Sequence, residues 1–270
     1  EQPGSFTLQD VYDRACESSG NPEIVPALYA VGKMRDLVSQ LPSVDAANEL
    51  LFEQTCQRLV PPTLLRDDIR ACTASPMEYW LYRENFSYQI SASAALTYMI
   101  ACTQRTPAKL NISRASGSIC LHDLVPTQAT PGLVHSKEPV PFRLTPNIQT
   151  FVTELGLEGI VPFAIYRVVQ RFTGTEHLLR DFLDLFVRDE LIHVPAVKSL
   201  AAANPQALAE MCERNVKLIE HRAGQMVEIL PAKEVQDQEL SPMQPLIRLM
   251  MQAVAPANLA KMDFIWAPWL

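Results

Sequence analysis

The sequence predicts a mainly α-helical protein that carries one small β-hairpin. Apolar residues recur at helical spacing along most of the 270 residues, and a single short stretch alternates in the manner of strands. Hydrophobic residues make up 48% of the chain and charged residues 20%, which is ordinary for a globular protein and excludes wholesale disorder. At about 150 residues per domain, the length allows one or two domains.

The first quarter of the chain predicts four helices. The first covers 7–18, where Thr7 is a candidate N-cap and the apolar residues form one stripe. Pro26 suits the first turn of a second helix, because proline needs no hydrogen-bonded amide there. A third helix is expected over 45–59, and the prolines at 61 and 62 end it and begin a short fourth helix that runs through Cys72.

The clearest start signal of the sequence is Ser75-Pro76-Met77-Glu78. Serine caps the first turn, proline occupies its first position and glutamate reaches back, which is the pattern of a capping box. No helix breaker follows before Pro107, so we expect one long helix to about Cys102. Its aromatic first half and small-residue second half predict that it is the central buried helix.

The alternating stretch lies after this helix. Residues 109–113 and 118–122 are expected to form a hairpin through the turn 114–117, and 124–140, rich in proline and polar residues, is expected to be a long loop. Helical periodicity returns at 147–155, 162–172, 176–191 and 205–229. Residues 231–240 read as a charged linker, and Ser241-Pro242 opens the last helix.

Charge and hydropathy exclude two classes of partner. The formal net charge is −7, so the chain lacks the basic footprint of a nucleic-acid-binding protein. The longest weakly polar run covers 90–102, whereas a membrane-spanning helix needs about 20 apolar residues, so we expect no membrane contact. The sequence begins at Glu1 with no leader pattern, and we expect it to be a piece of a longer chain.

Composition also argues against a cofactor or a metal ion. Glycine occurs only 9 times, and no glycine-rich phosphate-binding motif is found, so we expect any such loop to lie outside this chain. The six cysteines are far apart and the five histidines are dispersed, so the spacing of a zinc site is absent. The cysteines are expected to be buried, reduced thiols. We therefore predict neither a cofactor nor a metal.

Two separated motifs resemble those of the phosphatidylinositol 3-kinase-related kinases. The first is Pro141-Phe142-Arg143-Leu144-Thr145, followed by a helix and the run 155–159, which is similar to the end of the activation segment in that family. The second covers 241–270 and ends in Trp266-Ala267-Pro268-Trp269-Leu270, which looks like the family's terminal FATC segment. The resemblance spans nearly the whole chain and is closest to the TRRAP type of the family.

The resemblance implies a domain arrangement. Residues 1–230 would be the C-lobe of a protein-kinase-like domain of the PI3/PI4-kinase type, without the N-lobe that carries the glycine-rich loop. Residues 231–240 would be a linker, and 241–270 would be the helical FATC domain.

The same resemblance implies that the catalytic positions are degenerate. Active members carry Asp-Arg-His-Pro-Ser-Asn after the long helix, where the aspartate handles the substrate hydroxyl and the asparagine holds magnesium. The segment aligned through Pro107 places Gln104 at the aspartate and Lys109 at the asparagine. Asp123 falls near the next metal-binding position, although it has an alternative as a solvated carboxylate or a partner of His122. Phosphoryl transfer depends on positioned metal ions, so we predict a pseudokinase with no catalytic residue.

Four further residues are predicted to be structural. Arg143 lies in an apolar run, and burying its charge requires carboxylates or carbonyl groups, so we expect it to brace the activation-segment exit. Its alternative is an ordinary surface arginine. Trp266, Trp269 and Leu270 are expected to dock on the C-lobe, with a membrane or partner contact of the exposed indoles as the alternative.

Two functions from different classes follow. The resemblance implies a nuclear scaffold subunit of SAGA-type or NuA-type histone acetyltransferase complexes, whose partners are the other subunits and, through upstream repeats, transcription activators. The alternative is a divergent, active serine/threonine kinase that uses Asp123. A third hypothesis is that Lys109 replaces the metal and permits nucleotide to bind as a structural ligand.

Overall fold

The computed structural model describes residues 4–19, 26–130, 132–153, 159–174, 176–195, 197–199, 204–227 and 243–270. It confirms the predicted fold class, since the described residues are mostly helical with a small antiparallel sheet. Each predicted helix is found with small shifts of its ends. The helices are α1 (Leu8–Ser19), α2 (Pro26–Val38), α3 (Val44–Arg58), α4 (Leu64–Cys72), α5 (Pro76–Met99), α6 (Pro146–Val152), α7 (Ile160–Gly174), α8 (Glu176–Ile192), α9 (Pro205–Met226), α10 (Gln244–Val254) and α11 (Pro256–Leu259).

Side-chain caps begin the helices where the sequence predicts them. The hydroxyl of Thr7 accepts a hydrogen bond from the Asp10 amide at 3.2 Å, and the Asp10 carboxylate accepts one from the Thr7 amide at 2.7 Å. At α5, the Ser75 hydroxyl accepts from the Glu78 amide at 3.2 Å. The Glu78 carboxylate reaches back one residue further than predicted, to the amide of Ala74 at 2.8 Å. These caps satisfy amides that have no partner inside their own helix.

The predicted central helix is α5, which packs against α6, α7 and α9. It ends at Met99 rather than Cys102, because Ala101 adopts a left-handed conformation with φ of 53°. The amide of Cys102 then bonds the carbonyl of Thr97 at 2.8 Å, and the amide of Ala101 bonds that of Tyr98 at 3.2 Å. This is a Schellman motif with alanine at the position where glycine is usual, so no glycine marks the end of the helix.

The predicted hairpin is confirmed and forms part of a larger sheet. Strands β2 (Leu110–Ser113) and β3 (Ile119–Leu121) are antiparallel, and Leu110 pairs with Leu121. A third strand, β1 (Ser5–Thr7), pairs with the other edge of β2 and was not predicted. Three residues are too few to show an alternating pattern, so β1 carries no readable signal.

The prediction that 124–140 is a long loop is partly wrong. It contains the short antiparallel strands β4 (Gln128–Thr130) and β5 (Leu133–Val134). The buried amide side chain of Asn215 on α9 holds them, accepting from the Val134 amide at 2.8 Å and donating to the Gly132 carbonyl at 2.8 Å. A partner that lies some 80 residues away in sequence orders this segment, and local patterns do not reveal it.

The carboxyl-terminal part packs against the rest of the chain. Helix α10 contacts α7 and α9, α11 contacts α3, and a 3₁₀ turn at Phe264–Trp266 contacts α2. The predicted linker 231–240, the helix start at 241–242 and most of the run 155–159 lie outside the described residues. Within the described ranges, no helix has the length and apolar character that crossing a bilayer requires.

The cysteines correct one expectation. All six are free thiols, but Cys72 and Cys120 are exposed and only Cys102 and Cys212 are fully buried. Arg114 donates to the Cys72 sulfur at 3.5 Å, so this thiol lies at the protein surface beside a cation.

Candidate functional site

The fold brings the three positions that the sequence predicts to be degenerate into one cleft. Gln104, Lys109 and Asp123 line it together, between the loop that follows α5 and the end of β3. The space that the cleft leaves for a water-sized molecule is about 20 Å³, room for about one water. The other lining residues are Thr97, Cys102, Thr103, Arg105, Thr106, Leu110, Leu121, His122 and Leu124.

Gln104 lies at the exposed rim of this cleft in a strained conformation. Its φ is 55°, in the left-handed region that costs a residue with a side chain about 1–2 kcal/mol. Its carbonyl accepts the amide of Thr106 at 2.9 Å, which keeps the loop tight. A carboxamide does not accept a proton near neutral pH, so the side chain at this position cannot act as a general base.

Lys109 and Asp123 form an ion pair. The ammonium Nζ lies 3.2 Å from the carboxylate Oδ2, with Lys109 half-buried and Asp123 exposed. An exposed pair of this kind contributes about 0–1 kcal/mol, so its importance is positional rather than energetic. Both residues line the cleft, so the positive charge lies beside the Asp123 carboxylate there.

Of the two alternatives for Asp123, the carboxylate is exposed, and the described contacts show no hydrogen bond to His122. The imidazole Nε2 of His122 lies 2.6 Å from the amide Nδ2 of Asn111 on the neighbouring strand. Asp123 turns instead toward Lys109, because its own φ of 54° redirects the chain as it leaves β3.

The cleft does not fit the divalent cation that the family resemblance implies. The ammonium of Lys109 lies where a second cation beside Asp123 would be repelled. In the described part of the chain, no cluster of three or more His, Cys, Asp or Glu side chains is positioned to hold a metal ion. We therefore derive no catalytic step through a metal.

A buried ion pair lies behind the cleft. The guanidinium of Arg105 donates to the Glu138 carboxylate at 2.6 Å and to the Pro141 carbonyl at 3.2 Å. Burial lowers the pKa of Arg105, and burial also raises the pKa of Glu138, in each case against the attraction of the partner charge. The pair joins the loop after α5 to the end of 124–140, so it fixes the back wall of the cleft.

Arg143 is the most highly connected buried side chain of the described structure. One guanidinium nitrogen donates to the carbonyls of Arg105 at 2.7 Å and Trp266 at 2.8 Å. The other donates to those of Ala267 at 2.9 Å and Leu270 at 2.7 Å. Three segments that are distant in sequence therefore meet on one side chain: the cleft loop, the stretch after 140 and the carboxyl-terminal turn.

The charge of Arg143 is retained at neutral pH. Burial lowers the pKa of its guanidinium to about 9, and the nearby charge of Arg105 acts in the same direction. Its carbon Cζ lies 4.3 Å from the centre of the Trp266 indole ring, a cation–π contact. Four main-chain oxygens and one ring face thus stabilise the buried cation, which forms no ion pair with an Asp or Glu side chain of the described residues.

The carboxyl-terminal residues are buried against the same hub. Trp266, Trp269 and Leu270 are each less than 4% exposed, whereas Ile265, directly before Trp266, is exposed. The carbonyl of Trp269 accepts from the Asn147 amide at 3.0 Å. The other end of that side chain accepts from the Leu65 amide at 3.2 Å, so Asn147 joins the tail to the start of α4.

The sequence reasoning assigned no role to Arg105, Glu138, Asn147 or Asn215. Arg105 directly follows Gln104, and Glu138 and Asn147 lie within three residues of the motif 141–145, so their proximity to those positions was a usable signal. Asn215 lies inside a regular helical pattern, and nothing in its neighbourhood distinguishes it from a surface asparagine.

The family model for "Phosphatidylinositol 3- and 4-kinase" matches residues 2–195, which is more than half of the chain.

Curated relatives match over the whole chain. The "SAGA complex/NuA4 acetyltransferase complex subunit Tra1" of Schizosaccharomyces pombe is 30% identical over 100% of this chain and 8% of its own length. The corresponding Saccharomyces cerevisiae subunit is 27% identical over 97% of the chain and 7% of its length. The human "Transformation/transcription domain-associated protein" is 23% identical over 100% of the chain and 7% of its length. The chain thus spans less than a tenth of each of these relatives.

Solved structures share the fold. The "Tel1 kinase butterfly symmetric dimer" superposes over 100% of this chain and 11% of its own, with a TM-score of 0.69 and 16% identity. The "FAT and kinase domain of CtTel1" covers 100% and 18%, with a TM-score of 0.65 and 16% identity. At this identity the likeness describes the fold alone.

Proposed function

The chain belongs to the phosphatidylinositol 3- and 4-kinase family, as a member of the TRRAP type, and from that premise we propose that it is a catalytically inactive domain serving a scaffold subunit. The scaffold would belong to a histone acetyltransferase complex of the SAGA or NuA kind and would support transcription activation. This part of the proposal rests on the relatives, two of which are named as subunits of such complexes.

The proposal that the domain is inactive rests on one observation, the ion pair between Lys109 and Asp123 at 3.2 Å. A kinase of this family needs metal ions to neutralise the charge that develops on the transferred phosphoryl group. Here an ammonium already neutralises the nearby carboxylate, and Gln104 supplies no base. Together these features support a domain retained for its shape.

The alternative, a divergent active kinase that uses Asp123, has less support. It would require Lys109 to leave the carboxylate and another group to replace the missing base. The cleft offers His122, but its imidazole is engaged with Asn111. A structural nucleotide bound without metal is the other alternative, and it would have to displace the same ion pair.

The structural role that we propose for the tail centres on Arg143. The guanidinium holds three of the last five carbonyls together with that of Arg105, so the tail and the cleft loop support one another. Trp266 and Trp269 contribute because each buried aromatic removes about 150–250 Å² from water. Deleting Trp269 and Leu270 should lower the yield of soluble full-length protein, whereas normal yield with loss of membrane pelleting would favour the membrane alternative.

The partners that we propose are the other subunits of the acetyltransferase complex, with transcription activators bound by parts of the protein outside this chain. A nuclear location follows from that assignment. A direct test is to purify the full-length protein under mild conditions and to assay the preparation for histone acetyltransferase activity. Absence of that activity from an otherwise intact preparation would contradict the scaffold proposal.

The inactive state is tested by nucleotide binding to the full-length protein. We expect its melting temperature to be the same with and without ATP and magnesium. A control variant carrying Gln104→Asp and Lys109→Asn restores the family's residues at both positions, and gain of a shift there would show that the assay detects binding. A magnesium-dependent shift in the unsubstituted protein would favour the kinase, and an ATP shift that persists in chelator would favour the structural nucleotide.

A further inference from the structure

Four buried polar atoms around Arg143 have no hydrogen-bond partner among the described residues. They are Nε of Arg105, Nε of Arg143, Oγ1 of Thr145 and Nε1 of Trp266. Arg105 is 8% exposed and the other three residues are 3% exposed or less, so bulk water does not reach these atoms. We call the four residues the Arg143 cluster. Buried polar groups are nearly always hydrogen-bonded in folded proteins, so a partner is expected for these atoms.

The atoms of the cluster belong to one place in the fold. The Cζ atom of Arg143 lies 4.3 Å from the centre of the Trp266 ring. The same guanidinium donates to the main-chain carbonyl of Arg105 at 2.7 Å. Thr145 follows Arg143 by two residues, so the two Cα atoms are at most about 7.6 Å apart. The cluster is therefore one internal site.

The hydroxyl of Thr145 is not used by its own helix. Thr145 is the N-cap of α6, where a threonine hydroxyl usually accepts a hydrogen bond from an amide of the first turn. Here the side chain makes no such bond, although the main-chain carbonyl accepts the amide of Gln149 at 2.9 Å. A hydroxyl that neither caps its helix nor reaches bulk water needs a partner that the described residues do not supply.

The hydrogen-bonding capacity of these atoms defines the ligand. Nε of Arg143 and Nε1 of Trp266 can only donate hydrogen bonds, whereas the hydroxyl of Thr145 can also accept one. The occupant must therefore accept two hydrogen bonds and donate a third. A water molecule does both, and three hydrogen bonds is the usual number for a buried water.

An ion fits this site less well than water. A cation finds no acceptor on either nitrogen and is repelled by the guanidinium of Arg143. An anion would lie close to the four main-chain oxygens that surround the same guanidinium, those of Arg105, Trp266, Ala267 and Leu270. These oxygens carry partial negative charge and already stabilise the cation.

We propose that the Arg143 cluster binds one internal water molecule, which accepts hydrogen bonds from Nε of Arg143 and Nε1 of Trp266 and donates one to Oγ1 of Thr145. The water joins the start of α6 to the carboxyl-terminal turn, beside the direct hydrogen bonds that Arg143 makes. Nε of Arg105 is not part of this bridge. The site is independent of the proposed scaffold function, because it involves only residues of this chain.

The test removes one partner of the water at a time in the full-length protein. Thr145→Val keeps the shape of the side chain without the hydroxyl, and Trp266→benzothienylalanine replaces the indole N–H by sulfur. Hydrogen exchange of the amides in 264–270 is the readout. We expect protection to fall about fivefold in each variant, because each loses one buried hydrogen bond. The variant with both changes should fall by about the same factor, because the second change acts on a water that is already lost.

Two further variants separate the hydroxyl from packing. Thr145→Ser keeps the hydroxyl, and its protection should stay within twofold of the unsubstituted protein. Thr173→Val makes the same change at the end of α7, where the hydroxyl bonds the Val169 carbonyl of its own helix at 3.0 Å. This control should leave 264–270 unchanged.

Several results would overturn the proposal. Unchanged or increased protection in Thr145→Val would show an unpaired hydroxyl, whose removal relieves a burial cost. A loss of about 25-fold in the double variant would indicate two independent groups, and equal losses in Thr145→Ser and Thr145→Val would indicate packing. Protection that rises when chloride replaces gluconate at constant ionic strength would identify an anion.

A density map of the unsubstituted full-length protein, at a resolution that shows ordered water, tests the site directly. We expect one peak within about 3.2 Å of Nε of Arg143, Nε1 of Trp266 and Oγ1 of Thr145. Absence of that peak from a map that shows other buried waters would contradict the proposal.

Discussion

Replacing Arg143 by methionine should release the carboxyl-terminal turn from the cleft loop. Methionine fills much of the same volume but leaves four carbonyl oxygens without their donor, those of Arg105, Trp266, Ala267 and Leu270. Each unsatisfied buried polar group costs about 1–3 kcal/mol, and relief of the buried charge offsets part of that sum. A net local destabilisation of about 3 kcal/mol is a reasonable expectation, which corresponds to about a hundredfold change in an opening equilibrium.

Hydrogen exchange of the full-length protein measures this change where it occurs. Backbone amides in 264–270 and in 104–110 should lose protection together, by about a hundredfold, because the Arg143 guanidinium donates hydrogen bonds to both segments. Arg70→Met, which removes an exposed arginine from α4, is the matched control and should change neither segment. Protection in the tail that stays within threefold of the unsubstituted protein would refute the bracing role.

Three further predictions concern the surroundings of the cleft. Glu138→Leu alone should destabilise the fold by about 3–5 kcal/mol, because it leaves the buried charge of Arg105 without a partner. Adding Arg105→Met should recover most of that loss, which a double-mutant cycle of denaturant unfolding measures. Equal losses in the single and the double variant would contradict this cost of an unpaired charge. Gln104→Gly should raise stability by about 1 kcal/mol by relieving the left-handed strain, and a melting temperature at or below that of Gln104→Ala would argue against it. Burial raises the pKa of Cys56 to about 12, so alkylation at about pH 8.5 should modify the exposed Cys72 but spare Cys56 in the native protein. Because the Cys56 thiol loses its proton first in the unfolded chain, the free energy of unfolding should fall as the pH rises from about 9 toward 12.

Most helices were predictable because their signals are local. A cap such as Thr7 or Ser75 acts on amides within one turn, so a few consecutive residues contain the whole interaction. The end of α5 was not predictable, because no local residue preference determines it. Ala101 adopts the left-handed conformation through its surroundings, and alanine carries no preference for it.

The residues that line the cleft were easier to predict from the sequence than the contacts that these residues and their neighbours make. The hairpin register pairs Leu110 with Leu121, so Lys109 necessarily lies near 122 and 123, and the ion pair with Asp123 was within reach of sequence reasoning. The partners of Arg143 were not. Three of its four acceptors lie more than 120 residues further along the chain and are backbone carbonyls, which every residue possesses.

The central claim is that this domain does not transfer phosphate, and one assay addresses it directly. Purified full-length protein is incubated with ATP, magnesium and a serine-containing peptide, and phosphopeptide is quantified beside an Asp123→Ala variant prepared in the same way. We expect no magnesium-dependent product and no difference between the two proteins. Phosphorylation that requires magnesium and disappears in Asp123→Ala would contradict it.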